Sequence, residues 1–204
     1  MKKLLILIAT AAAFCFAESA PQTHDGFFLN LSLGFGYQSF EYSASTKFAP
    51  DLEAKGGATE FDIKLGGRIA PNTLLHATIA GVSCMNDMDI IYEDEKISTS
   101  DLSENMSLLG IGVTYYLPAN FFVTASVGTA QFTNSDNTDN DNKVDGASET
   151  GFGFQVGAGK EWWVSENWGL GVSAAFTYGS ADDKHDAGDM SAYGINVMFS
   201  ATFN

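Results

Sequence analysis

Eight stretches of this chain alternate apolar and polar residues with a period of two. That alternation constrains the fold more than any other feature. From Phe27 to Gln38, one face reads Phe27, Leu29, Leu31, Leu33, Phe35, Tyr37, and the other reads Phe28, Asn30, Ser32, Gly34, Gly36, Gln38. A dozen residues in strict alternation describe a strand with one apolar face, not a helix. The pattern returns around residues 60–69, 75–81, 109–117, 121–128, 152–162, 168–178 and 193–203. The polar faces are made mostly of Gly, Ser, Thr, Ala and Asn, with 21 glycines in the whole chain.

The connections alternate as well. Ala70-Pro71-Asn72, Pro118-Ala119-Asn120 and Ser165-Glu166-Asn167 are tight turns ending in Asn, a residue that tolerates the left-handed conformation. The other connections, roughly 43–57, 84–104, 133–149 and 180–190, are long. Short turns at one end and long loops at the other suit an all-β, eight-stranded, antiparallel, up-and-down transmembrane barrel.

A soluble barrel would also alternate, with its apolar side inward. Two observations favour lipid on the apolar side. The polar face carries few charges, as the crowded interior of a small barrel requires. The apolar face ends in two aromatic rows, as at membrane interfaces: Phe27, Tyr115, Phe121, Trp162, Trp168 and Phe203 at the short-turn end, and Tyr37, Phe61, Phe152, Phe176, Tyr178 and Tyr193 at the loop end.

Ahead of the strands, Met1-Lys2-Lys3, an apolar run from Leu4 to Phe16 and the exit Cys15-Phe16-Ala17 have the layout of a secretory signal peptide over residues 1–17. The expected organisation is this leader, a short periplasmic segment 18–25, and the barrel over 26–204. Cleavage would change the charge from −15 to 8 − 25 = −17 and leave Cys84 as the one cysteine, so no disulfide is expected. The acidic balance argues against nucleic acid as a partner.

The chain resembles the small eight-stranded outer-membrane barrels of the OmpA-barrel, OmpX and OmpW type. The resemblance rests on the strand end Gly157-Ala158-Gly159-Lys160-Glu161-Trp162-Trp163, the turn Ser165-Glu166-Asn167-Trp168-Gly169-Leu170-Gly171, and the aromatic last strand Phe199-Ser200-Ala201-Thr202-Phe203. It implies the outer membrane of a diderm bacterium, with loops outside and both termini periplasmic. It implies lipid, lipopolysaccharide and the barrel-assembly machinery as partners, with an extracellular ligand open and a monomeric state expected. That machinery usually reads a C-terminal aromatic, whereas here Phe203 is followed by Asn204. No peptidoglycan-binding domain is expected after the last strand.

Candidate chemistry is sparse. The Gly-x-Gly pairs, such as Gly157/Gly159, fall on strands and open no helix, so they read as relief of crowding. Glu60, Asp62, Lys64, Arg68 and Glu161 lie on the polar face and are expected to form one lumen charge network, with Lys64 and Arg68 bridging to the acids. His24, His76 and His185 show no partner set for an activated nucleophile, so no catalytic residue is assigned and the protein is expected not to be an enzyme. The acidic connections suit divalent cations at most loosely, with Asp136, Asp139, Asp141 and Asp145 as candidate ligands and no other cofactor. The function expected is envelope support or surface contact through acidic loops. Two alternatives are a narrow channel for ions or small hydrophobic molecules, and a lipid-modifying enzyme.

Overall fold

The computed structural model describes residues 22–45, 52–84, 88–92, 95–99, 102–136, 145–184 and 188–204. The expected signal peptide, residues 1–17, lies outside the described residues. In chain order the strands are β1 (Phe27–Ala44), β2 (Leu52–Ala70), β3 (Thr73–Cys84), β4 (Met88–Tyr92), β5 (Glu95–Thr99), β6 (Leu102–Tyr116), β7 (Phe121–Asp136), β8 (Asp145–Ala147), β9 (Gly151–Trp163), β10 (Trp168–Asp182) and β11 (Gly188–Phe203).

Eight of these are the staves of a closed barrel. Every neighbouring pair is antiparallel, and β1 closes the ring by pairing with both β11 and β2. Closure is what the solvent demands, because an open edge would leave backbone groups unpaired in hydrocarbon. The eight expected strands are therefore present. They run further than the alternation suggested: β1 continues to Ala44 and β2 begins at Leu52, so part of each long connection is barrel wall. Within 84–104 the hairpin β4–β5 extends the sheet, with Glu53–Lys55 of β2 paired to β4. Within 133–149, β8 adds to β7.

The short turns differ in their chemistry. Asn72 (φ 57°) and Asn120 (φ 56°) take the left-handed conformation as expected, and Ala119 (φ 61°) takes it too, at a cost Asn or Gly would not incur. Asn167 does not. Its turn is closed by the amides of Val164 and Ser165 on the Trp168 carbonyl and by the Ser165 hydroxyl, which accepts from the Trp168 amide.

The apolar face points outward. Leu33, Phe35, Leu109, Ile111, Leu170 and Phe199 are all exposed, and so are Tyr115, Phe121, Trp162 and Trp168 at one end and Tyr37, Phe61 and Phe152 at the other. Phe27, Phe176, Tyr178, Tyr193 and Phe203 are half-buried on the same outer surface because they pack ring against ring: Phe27 and Trp168 on Phe203, Phe176 on Tyr193. In water such a surface would be untenable; in a bilayer it is the solvated face.

Candidate functional site: the sealed lumen

The inward face is stacked in three layers. At the short-turn end, Phe28, Leu74, Tyr116 and Phe122 form an apolar cluster. At the long-connection end, the interior is filled by Phe40, Ala58, Val82, Met106, Phe132 and Met190 among others. Polar side chains occupy the section between. The polar faces are mostly small and polar, as the alternation implies, and the aromatics among the inward positions gather at both ends. Even-numbered positions of β1 pass from Phe28 through Asn30 and Gln38 to Phe40, so one strand contributes to all three layers.

Glu60 on β2 is the centre of the polar section. Its carboxylate accepts from Gln155 Nε2 at 2.9 Å, Thr177 Oγ1 at 2.7 Å and Asn196 Nδ2 at 2.6 Å, donors on β9, β10 and β11 across the barrel. All four side chains are fully buried. Asp62 and Lys64, two residues apart on the same face, form a buried ion pair. Glu161 accepts from the Tyr116 hydroxyl at 3.2 Å. Asn30 donates to Thr202 Oγ1 and accepts from Ser32.

The five charges thus do not form one network. Arg68 lies at the rim, where its guanidinium pairs with Asp25 at 2.8 Å, with both partners about two-fifths exposed. It reaches neither Glu161 nor Glu60, because the chain irregularity between Arg68 and Ala70 ends regular pairing there and the rim offers water. Glu60 and Glu161 are held by neutral donors in place of lysine or arginine. Amide and hydroxyl donors from the facing walls were in the alternation pattern, but their partnership was not: Glu60 and Asn196 are 136 residues apart.

His76 is bonded through both ring nitrogens. Nδ1 meets Thr78 Oγ1 and Nε2 meets Thr114 Oγ1, each at 3.0 Å. Thr114 donates onward to Thr124, so its oxygen must accept from Nε2–H. In the neutral ring, Thr78 then donates to Nδ1 and accepts in turn from Ser126 at 2.8 Å. The donors therefore run in one direction, from Ser126 through Thr78, His76 and Thr114 to Thr124. Hydroxyls occupy both nitrogens, so no carboxylate orients this ring as a general base requires. Gly112 makes room for it: a Cβ there would sit 2.6 Å from His76 Cε1.

A strap closes the short-turn mouth. The Gln22 amide donates to the Glu166 carbonyl, and the Arg68 amide donates to that of Gly26. Between these anchors, the His24 ring stacks on Tyr116 with centroids 3.3 Å apart and the planes inclined by 12°, while Trp163 lies 5.1 Å away. His24 also meets Asn120 Oδ1 at 3.5 Å. Burial holds its pKa below the ordinary 6.5, against the opposing pull of Asn120, Asn204 and Asp25.

Between the lower apolar layer and the polar section lies a cavity of about 20 Å³, lined by Phe28, Asp62, Lys64, Tyr116 and Gln155 among others. That is room for about one water. Among the candidate cation ligands, Asp139 and Asp141 lie outside the described residues, as does His185. Asp136 ends β7 opposite Leu102, and Asp145 begins β8 opposite Ser135. Among the described residues no cluster of three or more His, Cys, Asp or Glu could hold a metal. Cys84 is a buried free thiol within the upper apolar layer.

A closed ring of eight antiparallel staves, apolar outside and plugged inside, defines a small transmembrane β-barrel of the outer-membrane kind. The chain belongs to the family described as Outer membrane protein beta-barrel domain, whose model matches residues 6–203. Among solved structures it is similar to the outer membrane protein OprG from Pseudomonas aeruginosa at 9% identity, with 90% of this chain and 99% of that chain covered and a TM-score of 0.51. It is also similar to the outer membrane protease OmpT from Escherichia coli (13% identity, 91% and 99% covered, TM-score 0.48) and to Neisserial surface protein A (12%, 85% and 95%, 0.47). At these identities the likeness concerns the fold alone. No curated protein sequence matches this one.

Proposed function

We propose that the protein is a non-enzymatic, non-conducting barrel that anchors in the outer membrane and presents its acidic connections to the cell exterior, with the short turns and the strap facing the periplasm. The observation that carries this reading is the lumen: among the described residues, two apolar layers and a polar section between them fill the interior, and the cavity between the lower layer and that section is about 20 Å³. A conduit for ions or small hydrophobic molecules would need an axial or lateral gap that connects with that interior. A lipid-modifying enzyme would need a histidine beside a serine and an acid, whereas His76 is spent on two threonines. The long connections hold most of the negative charge, so surface contact falls to cationic or cation-bridged partners.

Planar-bilayer recording of the refolded protein tests the proposal. Silence is expected from the wild type and from Glu60→Gln. Stable conductance steps in the wild type would refute it.

A further inference from the structure

Among the described residues that face outward between the two aromatic rows, Lys160 on β9 alone is charged; the outward ion pair Lys55–Glu53 lies beyond Tyr37 at the long-connection end. Its position in sequence, between Ala158 and Trp162 on the apolar face of β9, makes it an exception to the alternation. A cation facing hydrocarbon is costly, so it must reach the interface. Lys160 does so: Nζ donates to the Ala119 carbonyl at 2.9 Å and lies 4.2 Å from the centre of the Phe121 ring and 5.7 Å from that of Trp162. The two rings and the carbonyl hold the ammonium at the short-turn row. No carboxylate pairs with it among the described residues. An ammonium has three protons, and the carbonyl takes one.

Further along the same strands the outer wall is indented. Leu75, Ile111, Ala125, Val127, Phe154 and Val156 line a groove of about 390 Å³ that is almost wholly apolar. Ala125 on β7 faces Val156 on β9, and both line the groove. Val156 is four residues from Lys160 on the same face, about 13 Å at strand rise. Ala158, between them, leaves the way clear.

We propose that Lys160 and this groove form a binding site for one phospholipid, the ammonium taking the headgroup phosphate and the groove an acyl chain. The spacing allows it: the phosphate and glycerol cover the distance to Ala158, and the chain begins where the groove does. Charge complementarity selects the occupant, since a second barrel docked on this wall would set its own apolar surface against a cation with two unused donors. In the cell the site rests on the orientation proposed above, which sets the short-turn row in the phospholipid leaflet. The binding itself does not depend on that orientation.

Native mass spectrometry of the refolded protein in detergent, titrated with dioleoylphosphatidylglycerol, tests this. One lipid is expected to bind the wild type first. Lys160→Gln should weaken that first lipid roughly fivefold, the factor for one juxtamembrane cation. Ala125→Leu, which fills the groove and leaves the ammonium, should weaken it as well, and millimolar inorganic phosphate should not displace it. Equal lipid binding by the wild type and either variant overturns the proposal, and so does displacement by phosphate alone, which would make the ammonium a simple anion contact. Retained heat-dependent gel mobility in both variants establishes that the barrel is intact. The orientation is read separately, by labelling cysteines placed in the long connections on whole cells.

Discussion

Replacing Glu60 by alanine would test whether the polar section holds the barrel together. The wild-type carboxylate accepts three hydrogen bonds from three different staves. Alanine leaves Gln155, Thr177 and Asn196 buried without that acceptor. Each stranded donor costs about 1–3 kcal/mol, so the loss is about 3–9 kcal/mol before rearrangement. Gln155 also lines a cavity with room for about one water, so hydration relieves part of this loss and the expected value falls near the middle of that range. Glu60→Gln keeps the shape and one acceptor oxygen and turns the other into a donor, so about 1–3 kcal/mol is expected. Urea unfolding of the protein refolded into lipid vesicles, followed by tryptophan fluorescence, gives both values. Trp162, Trp163 and Trp168 all lie at the short-turn end and report its release from the bilayer. A Glu60→Ala variant within about 0.5 kcal/mol of the wild type would refute the reasoning, because ordinary surface changes cost that much. A cycle with Asn196→Ala sharpens the result. The double variant should lose less than the sum of the singles, as the two side chains share one bond.

Two further outcomes follow from the same geometry. Lys64→Met should cost about 3–5 kcal/mol in the vesicle assay by leaving Asp62 as an uncompensated buried charge, and the double variant Lys64→Met/Asp62→Leu should recover much of it; equal stability of the two variants would dissociate the pair from the fold. His24 should make the strap acid-labile: with the folded pKa lowered by burial, the released strap binds the proton more readily, so anchoring is full above pH 6.5 and declines as pH falls from there towards the lowered value. The Gln22 amide resonance in a nuclear magnetic resonance titration from pH 7.5 to 5 should shift in the wild type and not in His24→Gln, and an invariant wild-type spectrum would rule the mechanism out.

Alternation along the chain was enough to determine the staves, their number, the lipid-facing side and the two aromatic rows. This follows because a strand in a closed barrel has only two faces and the bilayer tolerates one composition on the outer one. Asn72 and Asn120 were readable as turn residues because the left-handed conformation is a local property, although Asn167 turned out to rely on bonds from Trp168 instead. Which inward groups meet was decided by the tertiary structure. Glu60 finds its donors on staves that follow it by 95 to 136 residues, and no local signal encodes that register. The same holds for Arg68, which shares a face with Lys64 in sequence but ends at the rim with Asp25, and for Phe28, Phe40, Phe122 and Phe132, whose inward rings become the two seals only when the ring of strands closes. Lys160 belongs to both levels. Sequence makes it an interruption of the apolar face of β9, and only the neighbouring staves supply the rings, the carbonyl and the groove that give the interruption a chemistry.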